Sequence, residues 1–93
     1  MTPFQQALER VVAAIPKGKT LSYAQVALLA GKPGAARAVV RGLYAVKGVP
    51  WWRVIKSDGT VAKEMLSKQG PRLLREGVKL LGRRVPVENR LRY

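Results

Sequence analysis

The 93-residue sequence contains no cysteine and no histidine. The missing cysteine excludes thiolate nucleophiles and disulfides, because no other side chain supplies that chemistry. The missing histidine removes the side chain that most often acts as a general base near neutral pH. Together the two absences also exclude the common zinc sites, which are built from these residues. We therefore expect no metal, no cofactor and no conventional hydrolytic or group-transfer activity.

Acidic residues are scarce and scattered. They are Glu9, Asp58, Glu64, Glu76 and Glu88. No two of them stand three or four positions apart, which is the spacing that brings two carboxylates onto one helical face. A metal site built from carboxylates is therefore not expected either.

Basic residues are abundant, since eighteen lysines and arginines accompany five acidic residues and give a formal net charge of +13. A field of this strength attracts polyanions at long range, so nucleic acid is the expected partner. Two other interpretations stay open at this point, a merely solvated basic surface and contact with an anionic membrane. No lipidation signal supports the membrane.

Long apolar runs are also missing. No stretch approaches the roughly 20 apolar residues of a membrane span, and Glu9 and Arg10 interrupt the segment where a signal peptide would be apolar. A chain of 93 residues, 47% of them hydrophobic, has enough material for one compact core. We therefore expect a single domain over residues 1–93, with a basic C-terminal tail at residues 83–93. A soluble monomer without membrane contact is expected, either near the nucleoid in a bacterial cytoplasm or in a eukaryotic nucleus.

Two capping-box patterns predict helix starts. In each, a hydroxyl residue is followed three positions later by glutamine, as in Thr2 with Gln5 and Ser22 with Gln25. Apolar residues with helical spacing follow both patterns. Stretches containing glycine or proline then predict where these two helices end.

A third helix is predicted over residues 35–45, after a tight turn at Lys32-Pro33-Gly34. Two short helices joined by such a turn suggest a helix-turn-helix. Many all-helical domains contain a similar pair without binding DNA, so the pattern alone does not decide the function. The residues expected to form the buried face of the third helix are Ala36, Val39, Val40 and Leu43.

The second half of the sequence has patterns that are typical of strands and turns. Residues 51–56 resemble a strand, Asp58-Gly59 a tight turn, and residues 61–62 a returning strand, which together predict a β-hairpin. A short helix is predicted over residues 71–76, ending at the following glycine. The expected fold class is α+β, a small winged helix-turn-helix DNA-binding domain with a short β-hairpin wing.

The predicted third helix also has a polar face. Arg37, Arg41 and Tyr44 are spaced to lie together on it. Small residues such as Ala36 and Ala38 would let the helix backbone approach a nucleic-acid groove closely. The alternative is an ordinary solvated arginine on an alanine-rich helix, which the residues alone do not exclude.

Aromatic residues stand on either side of this helix in the sequence. Tyr23 belongs to the first turn of the second helix, near backbone amides that favour phosphate, although a half-buried aromatic is equally consistent. Trp51 and Trp52 follow Pro50 directly, and in a strand their side chains would point to opposite faces. One tryptophan would then enter the core while the other lines a cavity or the surface, where a base can stack on it. The alternative is that both tryptophans fill a small core.

Four motifs occur in a characteristic order along the chain. They are Ser22-Tyr23-x-Gln25-Val26-Ala27, Gly31-x-Pro33-x-Ala35-Ala36-Arg37-Ala38-Val39, Pro50-x-x-Arg53-Val54 and Leu73-Leu74-x-Glu76-Gly77-Val78. In order and approximate spacing they resemble the DNA-binding domain of the O6-alkylguanine-DNA alkyltransferases. The resemblance covers roughly residues 3–80.

The acceptor motif of that family is Pro-Cys-His-Arg-Val, whereas this chain has Pro50-Trp51-Trp52-Arg53-Val54. Replacement of the acceptor cysteine by tryptophan makes the chain similar to the alkyltransferase-like proteins, which resemble the repair enzymes but bind the lesion without transferring the alkyl group. The absence of any thiolate in the chain agrees with that implication. Trp52 stands where the family has the histidine that activates the thiol.

The resemblance also implies roles for individual residues. Arg37 would fill the gap left in the duplex when the damaged nucleotide rotates out, and Tyr23 would help to turn the target phosphate. Ala36 and Ala38 would let the helix lie in the minor groove. Arg41 replaces a residue that is often glycine in the repair enzymes, and it is assigned to the DNA-contacting face from the helical spacing alone. The pocket for the extruded base would be formed by Leu43, Pro50, Trp51, Arg53 and the segment from Lys63 through Glu64 to Met65.

Three hypotheses about function follow from the residues and the resemblance. The first is a non-enzymatic sensor that binds O6-alkylguanine in double-stranded DNA and flags it for the proteins of nucleotide excision repair. The second is a winged-helix transcriptional regulator, which would prefer a sequence and usually dimerise. The third is a degenerate alkyltransferase with another nucleophile, which would become alkylated. Only the first predicts preference for the lesion in any sequence context without a gain of mass.

Overall fold

Residues 2–91 of the chain, which the computed structural model describes, fold into four α-helices and one pair of strands. None of these helices is long and apolar enough to cross a membrane. The α+β fold class is confirmed. The helices are α1 (Pro3–Ala13), α2 (Tyr23–Leu29), α3 (Ala36–Ala45) and α4 (Leu66–Arg75), the strands are β1 (Leu21–Ser22) and β2 (Val54–Ile55), and single 3₁₀ turns span Trp51–Arg53, Lys63–Met65 and Val87–Asn89.

Both predicted capping boxes are formed, so α1 and α2 begin where the sequence indicated. The Thr2 hydroxyl accepts a hydrogen bond from the Gln5 backbone N–H at 3.1 Å, and the Gln5 side chain accepts one from the Thr2 backbone N–H at 2.9 Å. Ser22 and Gln25 repeat the arrangement with the same distances. These bonds satisfy amides that have no partner inside the helix.

The predicted helix-turn-helix is formed by α2 and α3. Gly31 and Gly34 lie in the connection with φ values of +87° and +81°. Glycine adopts this left-handed conformation without the strain that a β-carbon would introduce. The two glycines therefore allow the chain to reverse within a few residues and lay α3 against α2.

Two apolar clusters hold the molecule together. The first lies among α1, α2 and α3, and the second lies beneath α4. Strand β2 joins them, because Val54 belongs to the first cluster and Ile55 to the second. The chain around β2, including the tryptophan pair just before it, is therefore fixed from both sides.

Replacing Gly42 by alanine is expected to destabilise the fold by about 1–2 kcal/mol. A β-carbon at this position of α3 would lie 2.5 Å from Leu8 Cδ2, and Leu8 of α1 is fully buried. The higher helix propensity of alanine offsets only part of that strain. Gly70→Ala in α4 is the matched control, since its β-carbon would meet only ordinary contacts at 3.5 and 3.8 Å. Equal stability of the two variants in urea unfolding would contradict the close approach.

The predicted β-hairpin over residues 51–62 is not formed. Its first residues make a 3₁₀ turn, and β2 pairs in parallel with β1 instead of with the returning segment. The tight turn does exist, with the Lys56 backbone N–H donating to the Thr60 carbonyl at 3.0 Å. Beyond the turn the Val61 N–H donates to the Arg83 carbonyl at 2.7 Å. The returning segment is thus paired with a distant part of the chain, which a local pattern does not reveal.

Helix α4 begins earlier than predicted. It starts at Leu66, so Pro71 lies inside the helix instead of at its beginning. Proline favours the first helical turn because it lacks a backbone N–H, and that preference produced the wrong start. The additional residues include Gln69 and Gly70, which are both buried. Their packing offsets the hydrogen bond that Pro71 cannot donate.

Residues 83–91, which the sequence suggested as a basic tail, pack against the rest of the chain. The Thr20 N–H donates to the Asn89 carbonyl and the Leu91 N–H donates to the Thr20 carbonyl, both at 2.8 Å. Val85 is fully buried. The last two residues of the predicted tail, Arg92 and Tyr93, lie outside the described residues.

Candidate nucleic-acid interface

The outer side of α3 carries Arg37, Arg41 and Tyr44, all of them exposed. The orientation of the helix is set by its inner side, where Val39 is fully buried. Tyr44 is 76% exposed, which is unusual for an aromatic side chain in a small domain. The polar face predicted from the spacing is therefore present on the surface.

The residues that flank Arg37 leave it free to project. Ala36 and Ala38 are partly buried and end at the β-carbon, so they do not screen the arginine. Among residues 2–91, Arg53 and Glu76 form the one ion pair between side chains. Arg37 and Arg41 are therefore not engaged with any described carboxylate. The same described residues contain no cluster of three or more acidic side chains that could hold a metal ion.

A cavity of about 650 Å³ opens beside α3. Its volume falls within the range of about 300–1,000 Å³ that is typical of small-molecule sites. The structure brings together residues to which the resemblance assigns a role, since Tyr23, Leu43, Trp51 and Met65 all line this cavity. They come from α2, α3 and two 3₁₀ turns. The cavity thus lies where the helix-turn-helix meets the segment that replaces the predicted hairpin.

Other residues of the cavity wall were not predicted. Val40 was expected in the core, but it is 38% exposed and forms part of the wall. Three lysines from separate segments contribute positive charge, and no local pattern marks them because only the fold brings them together. The lining residues that were not predicted for the pocket are Val40, Tyr44, Val46, Lys47, Gly48, Lys56, Ala62, Lys68 and Gln69.

Three residues predicted for the pocket do not line it. Pro50 precedes the 3₁₀ turn that carries the tryptophans, and Lys63 is exposed on the next such turn. Arg53 is directed toward Glu76 instead, with 2.6 Å between its Nη2 and the Glu76 Oε2. For Arg53 the 3₁₀ turn is the reason, because it directs successive side chains differently from the extended strand that was expected.

The two tryptophans have separate surroundings. Their rings meet edge to face, with centroids 6.0 Å apart and planes at 86°. Trp51 lines the cavity, whereas Trp52 packs against the second apolar cluster. The prediction that one faces a cavity and the other the core is confirmed, although a 3₁₀ turn achieves it. The Arg72 guanidinium lies over both rings, 5.2 Å from the Trp51 centroid and 5.8 Å from that of Trp52.

Glu76 holds the 3₁₀ turn Trp51–Arg53 in place. Its carboxylate accepts hydrogen bonds from Trp52 Nε1 at 2.9 Å and from the Gly18 N–H at 3.1 Å, besides its ion pair with Arg53. Arg53 in turn donates to the Ile15 carbonyl at 2.7 Å. Burial would raise the pKa of Glu76, but the hydrogen bonds from Arg53, Gly18 and Trp52 outweigh it and lower the pKa. The carboxylate is therefore charged at neutral pH.

Gln69 of α4 fixes the same turn from the other side. Its side chain is fully buried, and its Nε2 donates to the Trp52 carbonyl at 3.1 Å and to the Val54 carbonyl at 2.9 Å. Since both partners are acceptors, the amide nitrogen has to face them. Gln69 and Glu76 together hold the backbone that presents Trp51 to the cavity.

Tyr23 contributes a hydroxyl group to the cavity. Burial raises the pKa of Tyr23, and the nearby Tyr44 and Glu64 raise it further. The phenol therefore stays protonated at neutral pH. It can donate a hydrogen bond to an anion without adding negative charge of its own.

Comparison with known proteins shows which family and which proteins this chain resembles. The family model described as the DNA-binding domain of 6-O-methylguanine DNA methyltransferase matches residues 3–78. The DNA base-flipping protein of Escherichia coli is 40% identical over an alignment of 84 residues, and the match covers 85% of this chain and 65% of that protein. The chain thus spans slightly less than two thirds of that relative. Alkyltransferase-like protein 1 of Schizosaccharomyces pombe is 37% identical over an alignment of 87 residues, and the match covers 86% of this chain and 81% of that protein.

A solved structure agrees with the sequence comparison. The crystal structure of the alkyltransferase-like protein of S. pombe in complex with damaged DNA containing O6-carboxymethylguanine superposes with a TM-score of 0.78 at 35% identity. The match covers 85% of this chain and 80% of the S. pombe chain. This chain therefore belongs to the family of the 6-O-methylguanine DNA methyltransferase DNA-binding domain, as one of its alkyltransferase-like members.

Proposed function

We propose that this chain is a non-enzymatic DNA damage sensor that binds O6-alkylguanine in duplex DNA, with the damaged base turned out into the cavity beside Trp51. The cavity is the observation that carries the proposal, because it adjoins the arginine-bearing face of α3. A base extruded from a duplex needs such a recess next to the surface that holds the DNA. The S. pombe relative, whose structure contains DNA with O6-carboxymethylguanine, supports this use of the fold.

Helix α3 would contact the minor groove, with Arg37 entering the duplex where the base has left. Extrusion costs a few kcal/mol in lost pairing and stacking. A guanidinium inserted among the bases offsets part of this cost. Ala36 and Ala38 support the proposal because their small side chains allow the helix to approach the groove, and Arg41 is available to the DNA backbone one turn farther along.

Lesion preference would arise from two sources. Alkylation at O6 weakens base pairing, so the damaged base is extruded at a lower cost than guanine. The alkyl group also adds apolar surface, which gains about 0.8 kcal/mol per buried CH₂ when it contacts apolar walls. Leu43, Trp51 and Met65 supply such walls in the cavity.

Tyr23 would assist by binding the phosphate of the turned nucleotide. Its raised pKa keeps the hydroxyl protonated, so it donates a hydrogen bond to the phosphate without repelling it. Three lysines of the cavity wall, Lys47, Lys56 and Lys68, add positive charge around the same entrance. The entrance is therefore suited to the phosphates of a DNA strand, and the cavity behind it to a base that carries an alkyl group.

We also propose that the bound lesion is passed to nucleotide excision repair, in a bacterial nucleoid or a eukaryotic nucleus. A protein that holds a damaged base without repairing it protects the damage unless another system removes it. Addition of the chain to a reconstituted excision reaction should increase incision at O6-alkylguanine and leave incision elsewhere unchanged. An unchanged or reduced incision rate would contradict this step.

The direct test of lesion binding compares two identical duplexes, one with guanine and one with O6-methylguanine, by fluorescence anisotropy at near-physiological salt. Non-specific phosphate binding is weak under these conditions. Clearly tighter binding to the lesion duplex, with no gain of protein mass afterwards, is expected. Equal binding would instead favour a basic helix-turn-helix protein that reads a sequence, and a gain of alkyl mass would indicate an enzyme.

Replacing Trp51 by cysteine is expected to restore little alkyl transfer. The new thiol would lack a neighbouring histidine, because Trp52 occupies that position and its indole nitrogen is already bonded to Glu76. Mass spectrometry after incubation with the lesion duplex would measure the transfer. The matched control is Trp51→Ser, which has no thiol at all, and rapid alkylation of the cysteine variant alone would overturn the expectation.

A further inference from the structure

A second cavity, of about 360 Å³, lies next to the first. Lys56 lines both cavities, so they share a wall. Tyr23 and Ala24, neighbours in the first turn of α2, line the first and the second respectively. Its lining includes the side-chain donors of Ser22, Lys56, Ser57 and Arg90. Thr20 and Gln25 also line it, but their side chains already donate to the Asn89 and Leu91 carbonyls. Acidic residues are absent among its described lining residues.

Arg90 has unusual surroundings for an arginine. Its guanidinium lies directly over Gly59, where a β-carbon would collide with it. Gly59 has a φ of +85°, so glycine is favoured there on two independent grounds. The Arg90 Nε is buried and donates to no acceptor within residues 2–91, and no carboxylate in that part of the chain lies within ion-pair distance. Because Arg90 also lines the second cavity, an anion bound there would balance the charge of its guanidinium.

The backbone around Arg90 is held firmly. Thr20 forms a parallel bridge with Arg90, and the hydrogen bonds from Thr20 to Asn89 and from Leu91 to Thr20 fix the segment on either side. The Asn89 side chain also donates to the Gly18 carbonyl at 2.9 Å. The guanidinium is therefore presented from an ordered segment that runs beside β1.

We infer that the second cavity binds a phosphate of the DNA backbone through Arg90 and Lys56, next to the nucleotide held by the first cavity. A guanidinium, an ammonium and hydroxyl donors are together suited to the oxygens of a phosphodiester. The wall shared through Lys56 places this site within reach of a strand that lies at the entrance of the first cavity. The inference rests on the proposed DNA-binding function and extends its contact surface.

The test replaces Arg90 by methionine and measures binding of the guanine and O6-methylguanine duplexes at several salt concentrations. Methionine keeps an unbranched apolar chain over Gly59 but removes the charge. Loss of one phosphate contact should reduce the slope of log Kobs against log salt by about 0.9. Both duplexes should lose affinity by the same factor, about tenfold, so the ratio between them stays constant. Arg75→Met, an exposed arginine at the end of α4, is the control and should change the slope little.

Two further measurements keep the inference open to refutation. Arg90→Lys should recover most of the affinity, because it restores the positive charge. If the methionine variant unfolds, the wild-type protein provides the test. The NMR resonance of the Arg90 Nε–H should shift when undamaged duplex is added. Equal salt slopes of log Kobs for Arg90→Met and Arg75→Met would overturn the inference, and so would an unshifted resonance. Either result would leave an acidic protein segment as the candidate anion. Equal wild-type binding of the two duplexes would refute lesion sensing but not this site.

Discussion

Alanine in place of Arg37 is expected to abolish most of the preference for an O6-methylguanine duplex over the same duplex with guanine. Without the side chain, nothing replaces the extruded base, and the complex bears the full cost of a few kcal/mol for opening the stack. We expect affinity for the lesion duplex to fall about 100-fold, which corresponds to about 2.7 kcal/mol. Affinity for the undamaged duplex should fall by about threefold or less, as for loss of one surface charge. Paired anisotropy titrations measure both.

Arg41→Ala is the matched control for this prediction. It removes the same charge from the same face of α3, one turn farther along, and Arg41 is likewise exposed. Its loss should weaken both duplexes equally and leave the ratio between them intact. Unchanged discrimination in the Arg37 variant, or equal loss of discrimination in both variants, would show that Arg37 does not enter the duplex.

Exchange of Glu76 for glutamine is expected to lower the free energy of unfolding by about 3 kcal/mol, because it leaves the partly buried Arg53 without its counter-charge. The side chains of Arg53 and Glu76 are only 14% and 8% exposed, so water replaces the lost interaction poorly. A domain of this size has only about 5–15 kcal/mol of stability, so the loss should be plain in urea unfolding. Glu88→Gln, at an exposed site, is the control and should be nearly neutral. Equal stability of the two variants would contradict the anchoring role of Glu76.

The same exchange should change the response to acid. Since the folded state lowers the pKa of Glu76, the carboxylate contributes stability above its ordinary pKa, and this contribution disappears as the pH falls through the lower, folded value. The wild-type protein should therefore lose stability as the pH drops below about 4.5, and Glu76→Gln should lose less over the same range. The pKa of Asp58 is lowered by its hydrogen bonds with Thr60, so a weaker acid response should remain in the variant. Identical pH profiles would contradict the assignment.

Features encoded by neighbouring residues could be predicted from the sequence. The starts of α1 and α2 depend on capping boxes that span four residues, and both were predicted correctly. The polar face of α3 follows from helical spacing alone. Trp51 was recognised as a cavity residue because the motif around it resembles that of a known family. In each case the information lies within one element or one short motif.

Features that depend on distant contacts were not predictable in this way. The segment after the Asp58-Gly59 turn pairs with residues 83–85, more than 20 positions away, so the expected hairpin did not form. Arg53 was assigned to the pocket, but its partner Glu76 comes from the end of α4. Lys56 and Lys68 reach the cavity from separate segments. Their positions follow from the packing of the second apolar cluster, which no local pattern encodes.

Ionic strength acts in opposite directions on the folded chain and on its complex with DNA. The described ion pair is largely shielded from solvent, so dissolved salt screens it weakly. The many exposed cationic side chains repel one another, and counterions relieve that repulsion within the free protein. The cations of the same salt compete with the protein for phosphates and weaken its binding to the duplex. Salt concentrations that weaken binding to undamaged DNA are therefore expected to stabilise the folded state of the free chain.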